Sequence, residues 1–102
     1  IGGTVASLKP YGVFVNFNGV TGLLHINQIS KNYVDSLSNL LTVDQPLKAV
    51  VVALDEERNR ISLSTKVLEK YPGEMLKELD VVMADAENRL KNLESVLAES
   101  DL

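Results

Sequence analysis

Hydrophobic and polar positions alternate with a period of two through the first two-thirds of the chain and with a helical period through the last third. In Gly12-Val13-Phe14-Val15-Asn16-Phe17-Asn18, the residues Val13, Val15 and Phe17 share one face of a strand, leaving Phe14, Asn16 and Asn18 on the other. Asn18-Gly19 supplies a turn, and Val20 to Ile26 a further strand. Thr4 to Lys9 reads as the first strand, broken by Pro10. Lys48 to Leu54 is a β-branched run suited to a strand buried on both sides. After the polar turn Asp55-Glu56-Glu57-Arg58-Asn59, Ile61 and Leu63 face inward, while Arg60, Ser62, Ser64 and Lys66 face out. Residues 27–46 lack clean alternation, and Val34 to Leu41 fit one short helical turn.

The tail switches period. Leu76, Leu79, Met83, Ala86, Leu90, Leu93 and Leu97 are spaced alternately by three and four, a heptad seam on one α-helix from Glu74 to Glu99. Asp85 with Arg89, and Glu87 with Lys91, place the acid four residues before the base, the supportive order. Such a helix is about 39 Å long, against about 28 Å for a barrel of this size. Its far end is therefore expected to meet another chain, to fray, or to break and fold back. The whole predicts a mainly β fold: a five-stranded antiparallel barrel of the oligonucleotide-binding (OB-fold) type over residues 1–68, then an acidic amphipathic C-terminal helix over 69–102. Closure suits five short strands better than an open sheet with two exposed edges.

Charge sharpens that division. Residues 1–66 carry six bases and five acids, whereas residues 67–102 carry four bases and nine acids, so the formal charge of −4 belongs to the tail. A net negative chain ordinarily argues against a phosphate-bearing partner; once the acids are located, the first part is free of that objection. With 45% hydrophobic residues the chain has enough apolar material for a core. The absence of cysteine and the presence of one histidine, His25, exclude disulfides, thiolate zinc sites and histidine triads. No stretch approaches the about 20 apolar residues of a membrane span, and no leader-like segment opens the chain. It reads as a soluble fragment with no cofactor, no metal and no catalytic constellation, and not as an enzyme. Consecutive carboxylates in the Asp55–Glu57 turn cannot face one another across a cleft as paired acid chemistry requires.

Three of the five aromatic residues, Tyr11, Phe14 and Phe17, fall within seven positions. Phe17 sits on the apolar parity and is expected in the core. Phe14 shares its face with two asparagines, where either a loop from residues 27–46 covers it or it serves as a stacking platform for nucleobases. His25 lies on the parity of Leu23; it is read either as a structural histidine or as a group that meets a phosphate or base beside Phe14. Arg60 and Lys66 point outward from the last strand, and Lys9 precedes Pro10; charges on an outward face are ordinarily solvated.

In order, Gly3-Thr4-Val5, Tyr11-Gly12-Val13-Phe14-Val15, Gly22-Leu23-Leu24-His25-Ile26, Gln28-Ile29-Ser30, Leu47 to Val52, Leu54-Asp55 and Arg60-Ile61-Ser62-Leu63-Ser64 resemble the S1 RNA-binding domain, the repeated module of ribosomal protein S1. Thr65 to Glu69 and Pro72-Gly73-Glu74-Met75-Leu76 further resemble the last such domain of chloroplast and cyanobacterial S1-like ribosomal proteins. The resemblance implies a module that binds single-stranded RNA, mRNA included, on one barrel face in a translation-related protein. It carries RNA contacts onto Tyr11 and Phe14 as stacking rings, onto His25 beside them, and onto Asp55 and Arg60; Lys9 joins them by charge and position. It also implies a chloroplast location, or otherwise a cytoplasmic one. The acidic C-terminal helix is expected to stay off the RNA and to pack on the barrel or dock on the ribosome or another protein. Two alternatives stand beside it: a protein-docking module that works through the heptad seam, and the RNA-binding appendage of a ribonuclease.

Overall fold

Asn18 and Gly19 both adopt positive φ, 49° and 79°, as a two-residue hairpin turn matched to strand twist requires. They join β2 (Gly12–Phe17) to β3 (Val20–His25), with Phe17 opposite Val20 and Phe14 opposite Leu23. The computed structural model describes residues 1–100, with side-chain environments through Ser95. β1 (Gly2–Lys9) pairs with the other edge of β2, across an irregularity between Val5 and Ser7. With β4 (Pro46–Lys48), β5 (Val50–Asp55) and β6 (Arg60–Ser64) they form one sheet in the order β4-β1-β2-β3-β6-β5.

The sheet has six strands rather than the five expected, because the run from Lys48 to Leu54 changes partner at Ala49. β4 pairs with β1, the Ala49 N–H donates to the Ile1 carbonyl at 2.9 Å, and β5 then pairs with β6. One residue joins the two outermost strands, so the sheet must curl. Nor is it wholly antiparallel: β3 and β6 run parallel, setting Leu23 beside Ser62 and Leu24 beside Leu63. β5 is not buried on both faces either. Val52, Ala53 and Leu54 are exposed, since β6 is the neighbour of β5 on one side only and the ladder shifts between Val51 and Ala53. Ser64, expected outside, is fully buried and its hydroxyl faces the Gln28 carbonyl.

The expected inward residues Val13, Val15 and Leu63 are completely buried with Val5 and Leu24, and Phe17 packs at the edge of this cluster. The irregular segment closes one end of the curl through Ile29, Val34, Leu37 and Leu41. It enters by a 3₁₀ turn at Ile26–Gln28 and includes the short α1 (Leu37–Leu40), within the helical turn expected at Val34–Leu41. Its apolar residues lack strand alternation because they plug an opening rather than line a sheet.

The C-terminal segment departs most from expectation. The anticipated single helix breaks at Glu78, where φ is −137° and ψ 48°, into α2 (Glu74–Lys77) and α3 (Leu79–Ser100). The break separates Leu76 from the rest of the seam, which continues on α3. On α3 the most buried positions are Val82, Ala86 and Arg89. Val82 and Ala86, the latter a seam residue, form a second apolar cluster with Leu68 and Met75, and Leu79, Met83 and Leu93 of the seam flank it. Leu97 lies outside the residues whose side chains are described. α3 also covers a sheet edge: the Lys48 N–H of β4 points at Met83 Sδ, 3.2 Å away.

Arg89 is buried among hydrogen-bond partners. Its guanidinium donates to both carboxylate oxygens of Glu74 (2.7 and 2.9 Å), to the Leu68 carbonyl (3.0 Å) and to Asp85 (2.8 Å), with the Arg89 and Glu74 side chains 7% and 3% exposed. A second buried acid, Glu69, accepts from Ser30 Oγ (2.6 Å) and from the N–H groups of Lys31 (2.7 Å) and Met75 (2.9 Å). Both carboxylates are fully engaged, as buried charge demands. Nearby, the Tyr71 hydroxyl donates to Glu78, which pushes its pKa up to about 12.

Candidate nucleic-acid interface

Strand pairing aligns the polar parity of β2 with two other strands. Phe14 stands opposite Leu23, and Leu23 beside Ser62, so these three form one cross-strand row on the outer face of the curled sheet. Towards one end follow Asn16 and Thr21, tied by a bond from the Thr21 hydroxyl to Asn16 Oδ1 at 2.8 Å. Towards the other end come Lys9, Gly12 and His25, again directly paired. Gly12 must stay bare: a Cβ there would meet the Leu24 carbonyl oxygen at 2.6 Å, so only glycine lets β2 and β3 approach beside the rings.

Phe14 is half-buried and meets the exposed Tyr11, and no residue of the segment 27–46 lines the groove the two rings share. The two rings meet edge to face, with centroids 6.3 Å apart and planes at 89°. They line a groove of about 430 Å³ whose other walls are Thr21, Leu23 and the stretch Asn59–Ser62. Two rings, one guanidinium and several neutral polar groups thus surround one opening, and no carboxylate lines it. Arg60 owes its place to the β5–β6 turn, in which Asn59 takes φ of 55° and Asp55 Oδ1 accepts from the Arg58 N–H at 3.2 Å.

The six residues singled out from the sequence therefore separate by position. Tyr11, Phe14 and Arg60 share the groove. His25 is exposed on the same face, two residues along β3 from Leu23. Its Nδ1 accepts from the Asn27 N–H at 3.1 Å, so the neutral ring carries its proton on Nε2. Lys9 is exposed in the His25 row but lines a different opening, with Pro10 and Asp35. Asp55 is turned toward Arg58 within its own turn and does not line the groove. Sequence reasoning did not single out Thr21, Leu23, Asn59, Ile61 or Ser62. Counting back from the Asn18-Gly19 turn would have set Leu23 and Thr21 beside Phe14 and Asn16; the β6 residues needed the parallel β3–β6 pairing.

The S1 RNA binding domain model matches residues 1–66. The chain belongs to the S1 RNA-binding domain family. The small ribosomal subunit protein bS1B of a Synechocystis strain is 53% identical over 93 residues, covering 91% of this chain and 30% of that relative. Protein bS1c of Spinacia oleracea is 40% identical over 99 residues, covering 97% of this chain and 24% of its own length. This S1 chain thus spans about a quarter to a third of those relatives. Among solved structures, GSP13 from Bacillus subtilis superposes with a TM-score of 0.61 at 33% identity, covering 70% of this chain and 55% of that one. A chain of the a/eIF2alpha–aDim2p–rRNA complex from Pyrococcus horikoshii gives 0.63 at 20% identity, covering 98% and 59%, which speaks to fold alone. Among the described residues no helix is long and apolar enough to cross a membrane, and no cluster of three or more His, Asp or Glu could hold a metal ion.

Proposed function

We propose that this S1 domain binds single-stranded RNA, such as mRNA, across the outer face of β2, β3 and β6, as a non-enzymatic module of an S1-like ribosomal protein. The observation that carries this is the carboxylate-free groove in which Tyr11, Phe14 and Arg60 converge. Aromatic rings on an open sheet face accept any base by stacking, at about 1 to 3 kcal/mol each. Arg60, and Lys9 in the His25 row, supply positive charge for phosphates, and His25 Nε2 a further donor. Asp55 acts by holding the turn that presents Arg60. We read the sheet as a barrel of the oligonucleotide-binding type closed at Ala49, with residues 1–68 as the RNA-binding unit and 69–102 as an extension packed upon it. The kinship with bS1 proteins favours a ribosomal setting over a ribonuclease, in a chloroplast or otherwise a cytoplasm. Nothing in the groove reads base edges in a bidentate manner, so sequence preference is expected to be weak.

With about two or three phosphates engaged, the logarithm of affinity should fall against the logarithm of salt with a slope of only about −1.4 to −2, and Kd should lie between about 1 μM and 1 mM. Fluorescence anisotropy with a labelled short RNA at several salt concentrations measures both. Absence of saturable binding at low salt would remove the reading.

A further inference from the structure

Resting on the RNA reading above, a second patch of chemistry, next to the first along the chain, remains to be explained. Tyr33 is 84% exposed, the highest exposure among the large hydrophobic and aromatic residues described, and its ring packs on no other aromatic. An aromatic held this openly gains nothing from folding, so its place in the core economy of the domain is empty. Beside it opens a cavity of about 220 Å³ whose other walls are the apolar Ile26 and Val34 and the polar Asn27, Ser30, Lys31 and Asn32, one cation and three neutral groups with no carboxylate. On the other side of the ring the opening includes Asp35, which repels phosphate, so an anionic strand is drawn to the Lys31 side.

The two openings are neighbours. The Ile26 N–H donates to the Tyr11 carbonyl at 2.9 Å, so a residue lining the second cavity is bonded to a residue lining the first. His25 lies between them, bound through Nδ1 to the Asn27 N–H. The loop that carries Tyr33 is also held in place. Buried Glu69 accepts from the Lys31 N–H and from Ser30 Oγ, Ser30 Oγ in turn accepts from the Asn32 N–H at 3.1 Å, and Gly73 lies so close to Asn32 that a Cβ would stand 2.6 Å from Nδ2. An exposed ring on a fixed loop binds at lower ordering cost than one on a floppy loop.

We infer that Tyr33 and Lys31 form a second subsite for the same RNA strand, beyond His25 from the Phe14 groove, with Tyr33 stacking on a base and Lys31 meeting a phosphate. The C-terminal segment has a part in RNA recognition without touching RNA: through Glu69 and Gly73 it fixes the loop that presents the subsite.

The test compares two mixed-sequence single-stranded RNAs, one of about four and one of about ten nucleotides, which bracket the footprint of a fold of this kind. Titrations use the wild type, Tyr33→Ala, Tyr33→Phe, Lys31→Gln and Phe14→Ala, each checked for folding by circular dichroism. Tyr33→Ala should weaken binding of the longer RNA about fivefold or more and leave the shorter one nearly unchanged, with Tyr33→Phe close to wild type. Lys31→Gln should weaken the longer RNA and flatten its salt dependence by about one-half to one phosphate contact. Equal affinity of Tyr33→Ala and wild type for the longer RNA, with Phe14→Ala impaired, overturns the second subsite and leaves the groove standing. Equal losses on both lengths overturn its separate placement. If neither Phe14→Ala nor Tyr33→Ala changes binding, the groove reading itself fails and the subsite with it.

Discussion

Replacing Arg89 with alanine should cost about 3 to 5 kcal/mol of stability, read as a lowered urea midpoint, because it leaves Glu74 charged and buried without its counter-ion. The Leu68 carbonyl would lose a donor in the same step. A double variant, Arg89→Leu with Glu74→Leu, should recover much of the loss, since removing both charges also removes their desolvation penalty. A double variant as unstable as the single would show that packing volume, not unpaired charge, governs this site. The pair also has a pH signature. Hydrogen bonding by Arg89 holds the carboxyls of Glu74 and Asp85 below their ordinary values of 4.5 and 3.8. Groups with depressed folded pKa values contribute stability that is fully present above the unfolded values and is lost as pH falls through the folded ones. The wild type should therefore lose stability below about pH 4.5, and the deficit of Arg89→Ala relative to it should shrink over the same range. Thermal unfolding of both proteins between neutral pH and pH 3 checks this; a deficit independent of pH would contradict the ion-pair account.

Phe14→Ala combined with Arg60→Ala should weaken binding of short single-stranded RNA by about 30-fold or more, corresponding to about 2 kcal/mol. One substitution removes a stacking surface and the other the only cation in the groove. Neither belongs to the fully buried core, so the double variant should remain folded, with a nearly unchanged circular dichroism spectrum. Retained RNA affinity in the folded double variant would instead favour a protein-docking role for the domain. The apolar seam of the helix is a weaker candidate for such a role than its spacing suggested, because Leu79, Met83, Ala86 and Leu93 pack on the rest of the same chain.

Local features were the readable ones. The parity of Val13, Phe14 and Val15 and the Asn18-Gly19 turn are short-range properties, and together they place the β2–β3 hairpin and the outer position of Phe14. The bend at Ala49 was not readable, because a β-branched run looks the same whether it pairs with one strand throughout or exchanges β1 for β6 midway. Burial of Ser64 escaped for a related reason: strand alternation fails where Gln28 of the irregular segment crosses over the end of β6. On the helix, Leu79, Met83, Ala86 and Leu93 of the expected stripe do pack inward, but Val82 and Arg89 beside it are buried more deeply than the leucines, Arg89 through its bonds to Glu74. A long charged side chain is ordinarily read as solvent-facing, so no local pattern announced Arg89 as buried. Among the candidate site residues, parity and family likeness point Phe14 and Arg60 to the same face, whereas Tyr11, in the turn before β2, rests on family likeness alone, and the three line one groove. Lys9 and Asp55 were chosen by charge or likeness, and the structure sets both outside the groove.

RNA is expected to lie on the outer face of β2, β3 and β6. Titrating isotope-labelled protein with a short single-stranded RNA, and following backbone amide shifts by residue, tests this most directly. The largest changes should cluster at Tyr11, Phe14, Leu23, His25 and Arg60, with little response along α3. Shifts concentrated on α3 or on exposed β5, with that cluster silent, would contradict it.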